Sequence, residues 1–491
     1  MWKLIKTWFP WLLIASAAIY LAVQFFFAQQ IAIRYEWNGL RFPYALDYGE
    51  GQILDQINRL AHFQPIYFTS SATNTPPYTI ANYPPLYQLI QAPFVWIFGT
   101  AFWYGRLITL LSVMAAGVFI ALIIHTLTKH WIAGVIGGLT MLCMPQIIGW
   151  SPFIRVDQMA LGLSMAALYV VVRWPKGRGG LIAASALMVA AAFTKQSYAL
   201  SVPLAAFVWL LSQKQFKRAF QLAGIVAGTG VVIFGLLMLV TRGSFFFNII
   251  TATQSKFVWD TVRHTFDDLF GRLPLMMYGS GLLVLLGLWS KIRPKTWALV
   301  SAYLVGAIIE TITIGKDGSS INYLYELSAA FGLVAGSFIA WPGKNFRWAT
   351  AILVALLATQ IGSMTEWNSK DFQPGFNYKF KHQDEVAQLA KIVKDAKGPV
   401  LADEYMGLIP LAGQTVTMQP FEFKQLKDAG IWDDQVFAGD ILNKKFAAIL
   451  IYSPHGWDSF TERWTPLLRS EILINYEVTG NYADTEVYTP R

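Results

Sequence analysis

Cysteine is almost missing from this chain. One residue, Cys143, stands among 491, so an intrachain disulfide is excluded and cysteine usage says nothing about the redox compartment. Histidine is sparse too, at six residues, and no His/Cys cluster carries zinc-site spacing. Charged residues make up 14% of the chain, where a soluble globular domain carries about 25%. That deficit excludes an ordinary soluble fold, and the 55% hydrophobic content says that much of the surface faces lipid. There is no long-period repeat and no low-complexity stretch. The formal charge of +9 would suggest nucleic acid in a soluble protein. Here the basic residues cluster in short loops between apolar segments, as membrane insertion requires, and no nucleic-acid partner is implied.

What the chain does have is a succession of apolar segments. They fall roughly at 9–33, 103–127, 131–150, 157–172, 180–194, 198–212, 219–241, 273–290, 297–314, 321–341 and 347–364. The first follows MWKLIK and runs well past Ala15-Ser16-Ala17, so it reads as an uncleaved signal anchor. A shorter segment at 86–99 decides the orientation of everything after it. If it does not cross, Lys129, Arg173/Lys176/Arg178, Lys214/Lys217/Arg218, Lys291/Arg293/Lys295 and Lys344/Arg347 join Lys3 and Lys6 on the cytoplasmic side. If it crosses, all those clusters are separated from the N-terminus. The first arrangement obeys the positive-inside rule and predicts about eleven spans, with 86–99 re-entrant or interfacial. It places the loop 34–102, the turns around Arg155, Lys195 and Lys316, the loop 242–272 and the tail on the outer face.

The tail after about residue 365 is polar, with charges of both signs. Residues 399–404, 415–420, 447–452 and 474–479 read as strands, and 382–396 as an amphipathic helix. The expected fold is therefore mainly α: a polytopic membrane helix bundle over 1–364, followed by a small extracytoplasmic α/β domain over 365–491.

Chemistry-bearing residues gather on the outer face. In YALDYGEGQILDQ, Asp47 and Glu50 precede a helical run, with Gly49 and Gly51 permitting a tight turn. N-capping of an interfacial helix accounts for such carboxylates as well as function does. Pro84 and Pro85 in NYPPLY fix an extended entry into the helix that follows. Arg155 and Asp157 stand in FIRVDQ, Lys195 and Gln196 in FTKQ, and Lys316, Asp317, Asn322, Tyr323 and Glu326 in GKDGSSINYLYEL. An ionisable residue at the membrane centre costs roughly 2.5–3.5 kcal/mol, so each needs a partner or a water-filled cavity. Singly, snorkelling or an Arg155–Asp157 salt bridge explains them. Several cations and several carboxylates on one face point instead to a site for an anionic lipid headgroup.

In their order and shared sidedness, DYGEG, NYPPLY followed by Arg106-Leu107, RVDQ, FTKQ and GSSINYLYE resemble the GT-C superfamily of membrane glycosyltransferases, within it the protein O-mannosyltransferase and aminoarabinose-transferase-like branch. The resemblance covers roughly residues 1–340. It implies a sugar transferred from a polyprenyl-phosphate-linked donor to a glycan, lipid or protein acceptor; a bacterial inner membrane is the expected location, since it fits a sequence with no obvious retention signal. It implies a general base in the first loop, a role falling to Asp47. The family often has adjacent Asp-Glu, whereas here Asp47-Tyr48-Gly49-Glu50 keeps Glu50 open as a second catalytic carboxylate. Arg155, Lys195 and Lys316 are the expected donor-phosphate ligands, and Tyr83, Asp157, Gln196, Asn322, Tyr323 and Glu326 the expected substrate-orienting residues. A divalent cation held by Glu50 and Asp157 is a further option. A polytopic lipid-linked-sugar transporter is the alternative function, since it too needs many spans and polar groups at depth.

Overall fold

The structure, a computed structural model, describes residues 2–491 except 70–73, 290–291 and 343–346. Lys291 and Lys344 of the expected cytoplasmic clusters lie outside the described residues.

Among the described residues, seven helices are long and apolar enough to cross a membrane: Trp8–Arg41, Trp103–Thr128, Val156–Arg173, Phe216–Val240, Trp297–Gly315, Ile321–Ala340 and Trp348–Lys370. Shorter apolar helices occupy other expected segments. The expected span 131–150 is broken: Trp131–Leu142 ends, and Pro145 opens a separate helix, Pro145–Trp150, at a position where its missing N–H costs nothing. Pro274 acts similarly, and Trp259–Arg272 meets Pro274–Leu286 at 98°. The expected outer loop 242–272 thus contains a helix, whose polar composition suits a membrane surface. Gly137 and Gly332 bring two helices into backbone contact, where a Cβ on either would come within 2.7 Å of the other's carbonyl oxygen. At the far ends of the helices, Arg218 Nη1 donates to Lys176 O at 3.0 Å, tying two basic loops together.

The first loop carries two helices, Tyr48–Ala61 and Leu86–Phe98. Asp47 caps the first by accepting from Gly49 N at 2.9 Å, and Ile53, Leu54 and Ile57 recur on its buried face. Leu86–Phe98 follows the two prolines, as expected.

The C-terminal domain is built on four strands, β1 (Val400–Ala402), β2 (Ala448–Tyr452), β3 (Tyr476–Tyr482) and β4 (Thr485–Pro490), in the order β1-β2-β4-β3. β1 pairs parallel with β2, Val400 opposite Ala448, while β4 runs antiparallel to both neighbours. One sheet face packs on Val386, Leu389 and Val393 of helix Gln383–Asp395. The other packs on Phe423, Trp432, Phe437 and Trp464. One strand expectation needs correction, and β4 lies outside the expected strands. Residues 415–420 form no strand of the sheet; Met418 makes an isolated bridge to Tyr78 of the first loop. And β4 enters through a hairpin whose turn residues, Ala483 and Asp484, both have positive φ (49° and 56°).

The first loop and this domain interlock. Tyr78 is fully buried in the domain's core, its ring 5.2 Å from Phe437 and 5.5 Å from Phe423. Tyr78 N donates to Thr417 O at 2.7 Å and Gln419 N to Tyr78 O at 2.9 Å. Gly51 meets Gly407 so closely that a Cβ on Gly51 would sit 2.5 Å from the Gly407 nitrogen. The domain is therefore held against the loop that carries Asp47.

Candidate active site

A cavity of about 960 Å³ lies where the first loop, the neighbouring helix ends and the C-terminal domain meet. Of the residues singled out in the sequence, Asp47, Tyr83, Arg155, Gln196, Lys316, Asn322 and Tyr323 line it. The segment 249–257 supplies a further wall, and Phe421, Glu422, Gln425, Trp457, Glu462 and Arg463 close it from the C-terminal domain.

Asp47 has one committed oxygen. Gly49 N and Arg155 Nη2 both donate to Oδ2, while Oδ1 accepts no hydrogen bond among the described residues and the side chain is 22% exposed. The same carboxylate therefore caps a helix and offers a free oxygen to the cavity. Arg155 stacks 5.3 Å from the Trp150 ring, and its Nε has no hydrogen-bond partner. A side chain at Gly49 would run into the Arg155 guanidinium, so glycine there keeps the pair in place. Lys316 is exposed on a turn fixed by Val258 N donating to Gly315 O at 2.7 Å and Asp317 N to Lys256 O at 2.9 Å. Gln196 donates to Asn82 O at 3.0 Å and leaves Oε1 without a partner.

Four candidates sit outside the cavity. Glu50 is fully buried and accepts four hydrogen bonds: from Arg106 Nε (3.0 Å) and Ile154 N (2.7 Å) at Oε1, and from Arg106 Nη2 (2.8 Å) and Leu46 N (2.6 Å) at Oε2. Arg106, equally buried, also donates to the carbonyls of Gly39, Phe42 and Tyr44. This pair fastens the loop to the bundle. Lys195 and Asp157 form a buried ion pair at 2.7 Å just behind the wall, with Asn322 Nδ2 also donating to Asp157 at 3.0 Å and the Lys195 ammonium 4.3 Å from the Tyr323 ring. Glu326 is buried as well and accepts from Ser201 at 2.5 Å. Glu50 and Asp157 thus face different cations and do not converge on a common point. Among the described residues, no group of three or more His, Cys, Asp or Glu side chains gathers as a metal site would require.

The domain's hold on the first loop was not visible in the sequence. Tyr48 OH donates to Glu422 at 2.7 Å, and Gln52 donates to the other oxygen of the same carboxylate. Burial raises the Glu422 carboxyl above its usual range, and these two donors oppose the rise. Lys379 donates to Leu46 O at 2.9 Å and pairs with Glu404, which also accepts from Arg463 at 2.8 Å. Burial alone would raise Glu404; the two cations hold it at about 2. Leu46, Tyr48 and Gln52 are thereby gripped on either side of Asp47.

In fold, the helical bundle with its C-terminal domain is similar to GT-C membrane proteins of solved structure, as the resemblance implied. Residues 82–241 match the sequence model of the dolichyl-phosphate-mannose-protein mannosyltransferase family. Among solved structures, ArnT from Cupriavidus metallidurans in the apo state matches with a TM-score of 0.59 and 14% identity, covering 94% of this chain and 96% of that one. The same protein bound to undecaprenyl phosphate matches at 0.58 and 16%, covering 94% and 97%. The archaeal oligosaccharyltransferase AglB from Archaeoglobus fulgidus, in complex with an inhibitory peptide and a dolichol-phosphate, matches at 0.55 and 10%, covering 99% and 75%. No curated protein matches the sequence.

Proposed function

We propose that this protein is a glycosyltransferase that moves a sugar from a polyprenyl-phosphate donor to an acceptor on the extracytoplasmic face of a bacterial inner membrane. The observation that carries the reading is a cavity lined by Asp47, Arg155 and Lys316 together, with one oxygen of Asp47 left free of hydrogen bonds. Its fold likeness to proteins solved with undecaprenyl phosphate and with dolichol-phosphate supports it. So does the family match over 82–241. The basic loops at the far helix ends support the orientation.

In this account the donor phosphate rests near Arg155 and Lys316, with its lipid tail leaving between helices. The acceptor oxygen or nitrogen attacks the anomeric carbon, and the bond from that carbon to the phosphate oxygen breaks, its electron pair leaving with the phosphate. The two cations stabilise the charge that develops there; the guanidinium binds through directed N–H groups and the ammonium acts as a point charge. Asp47 Oδ1 takes the acceptor's proton. A single displacement inverts the anomeric centre through an oxocarbenium-like transition state. Lys195 acts from behind the wall, holding Asp157 and, through it, Asn322. Incubating membranes that contain the protein with a radiolabelled polyprenyl-phosphate sugar tests the reading. Consumption of donor with release of polyprenyl phosphate is expected; movement of intact donor across the bilayer would instead make the protein a transporter.

A further inference from the structure

The wall supplied by the C-terminal domain has chemistry unlike that of the phosphate end. Trp457, Glu462 and Arg463 line it together, and none of them is needed to hold a phosphate. Trp457 is 39% exposed and its Nε1 donates to Glu462, itself exposed. The Arg463 guanidinium lies 4.8 Å from the Trp457 ring and 4.7 Å from the Tyr48 ring. Arg463 is only 7% exposed; Nη2 binds Glu404 at 2.8 Å and Nη1 has no hydrogen-bond partner.

The charges at this end compensate one another. Lys379 and Arg463 face Glu404, with Asp403 3.9 Å from Arg463. Lys316, by contrast, pairs with no acid across the cavity among the described residues. A second anion therefore gains little at the domain wall. What the wall offers is a part-exposed indole and an exposed carboxylate, with the planar guanidinium of Arg463 packed beside the indole. A pyranose ring presents the complement: one face of C–H bonds that lies on an indole, and hydroxyls that donate to the oxygens of a carboxylate beside it. An acyl chain would cover the exposed Glu462 carboxylate and offer it no donor.

We propose that Trp457, Glu462 and Arg463 form a subsite for a carbohydrate residue of the acceptor, so that the acceptor is a glycan. Calling the ligand an acceptor rests on the transferase reading; carbohydrate binding at this wall does not. The test is saturation-transfer difference NMR on the full chain in detergent, titrated with methyl glucosides, mannosides and galactosides. At least one glycoside should bind, and Trp457→Ala and Glu462→Gln should each weaken it about tenfold, equivalent to ~1.4 kcal/mol. Both side chains are exposed, so the melting temperatures should match wild type; if Trp457→Ala melts early, Glu462→Gln decides. No binding by any glycoside, or binding unchanged in the well-folded variants, overturns the proposal. Donor consumption is measured separately on the unaltered protein. Glycoside binding without donor consumption keeps the subsite and removes the transferase; donor consumption without glycoside binding does the reverse.

Discussion

Replacing Glu50 with Gln separates the two first-loop carboxylates by their physics. Glu50 accepts four hydrogen bonds at two oxygens, two of them from the fully buried Arg106. A glutamine keeps one accepting oxygen and turns an amide N–H₂ towards the other two donors. One backbone N–H and one guanidinium N–H lose their acceptor, and Arg106 loses its counterion. A hydrogen bond to a charged group contributes roughly 1.5–3 kcal/mol. Breaking a buried ion pair from one side costs about 3–5 kcal/mol, and the expected loss lies in that range. The assay is heat-induced loss of the monodisperse peak in detergent, read by size-exclusion chromatography. Glu50→Gln should melt well below wild type and lose transfer in proportion to the folded fraction. A variant that melts like wild type yet transfers no sugar would refute the reasoning and make Glu50 the acting carboxylate.

Asp47→Asn should behave oppositely: it keeps an acceptor for Gly49 N, melts near wild type, and loses roughly 10²–10⁴-fold in transfer rate. Retention of most of the rate would take the proton-acceptor role from Asp47. Lys316→Ala, at an exposed turn, should raise the donor KM about tenfold through loss of a point charge worth ~1.4 kcal/mol, with melting unchanged; an unaltered donor KM would place the phosphate elsewhere. The docking of the C-terminal domain should weaken in acid. Glu404 is held at about 2 against an ordinary 4.5, so its contribution is present above pH 4.5 and is lost as pH falls towards 2. Limited proteolysis across that window should release the domain from the wild-type protein, whereas Glu404→Gln should show the weakened docking already at neutral pH and little further change.

The bundle was legible because apolar runs and basic loops report the membrane directly. The pairing of Lys195 with Asp157 also had a signal, since charges at depth require partners, but spacing alone favoured Asp157 with Arg155. Arg106 carried a similar signal: an arginine at the head of an apolar run needs a carboxylate, and Glu50 answers it. The C-terminal wall was not legible. Glu422 and Arg463 reach the cavity only through docking between segments more than three hundred residues apart, which no local pattern encodes. β4 escaped because its hairpin turns on Ala483-Asp484, where the positive φ values favour Asn or Gly. Residues 415–420 read as a strand because their alternation serves a bridge to Tyr78 instead of the sheet.

The measurement closest to the central claim is a structure of the protein with a polyprenyl phosphate bound. The account predicts phosphate oxygens within hydrogen-bond reach of Arg155 and Lys316, with Asp47 Oδ1 open to the space beside them. Phosphate bound at the opposite helix ends, near Arg293 and Lys295, with the outer cavity empty, would contradict it.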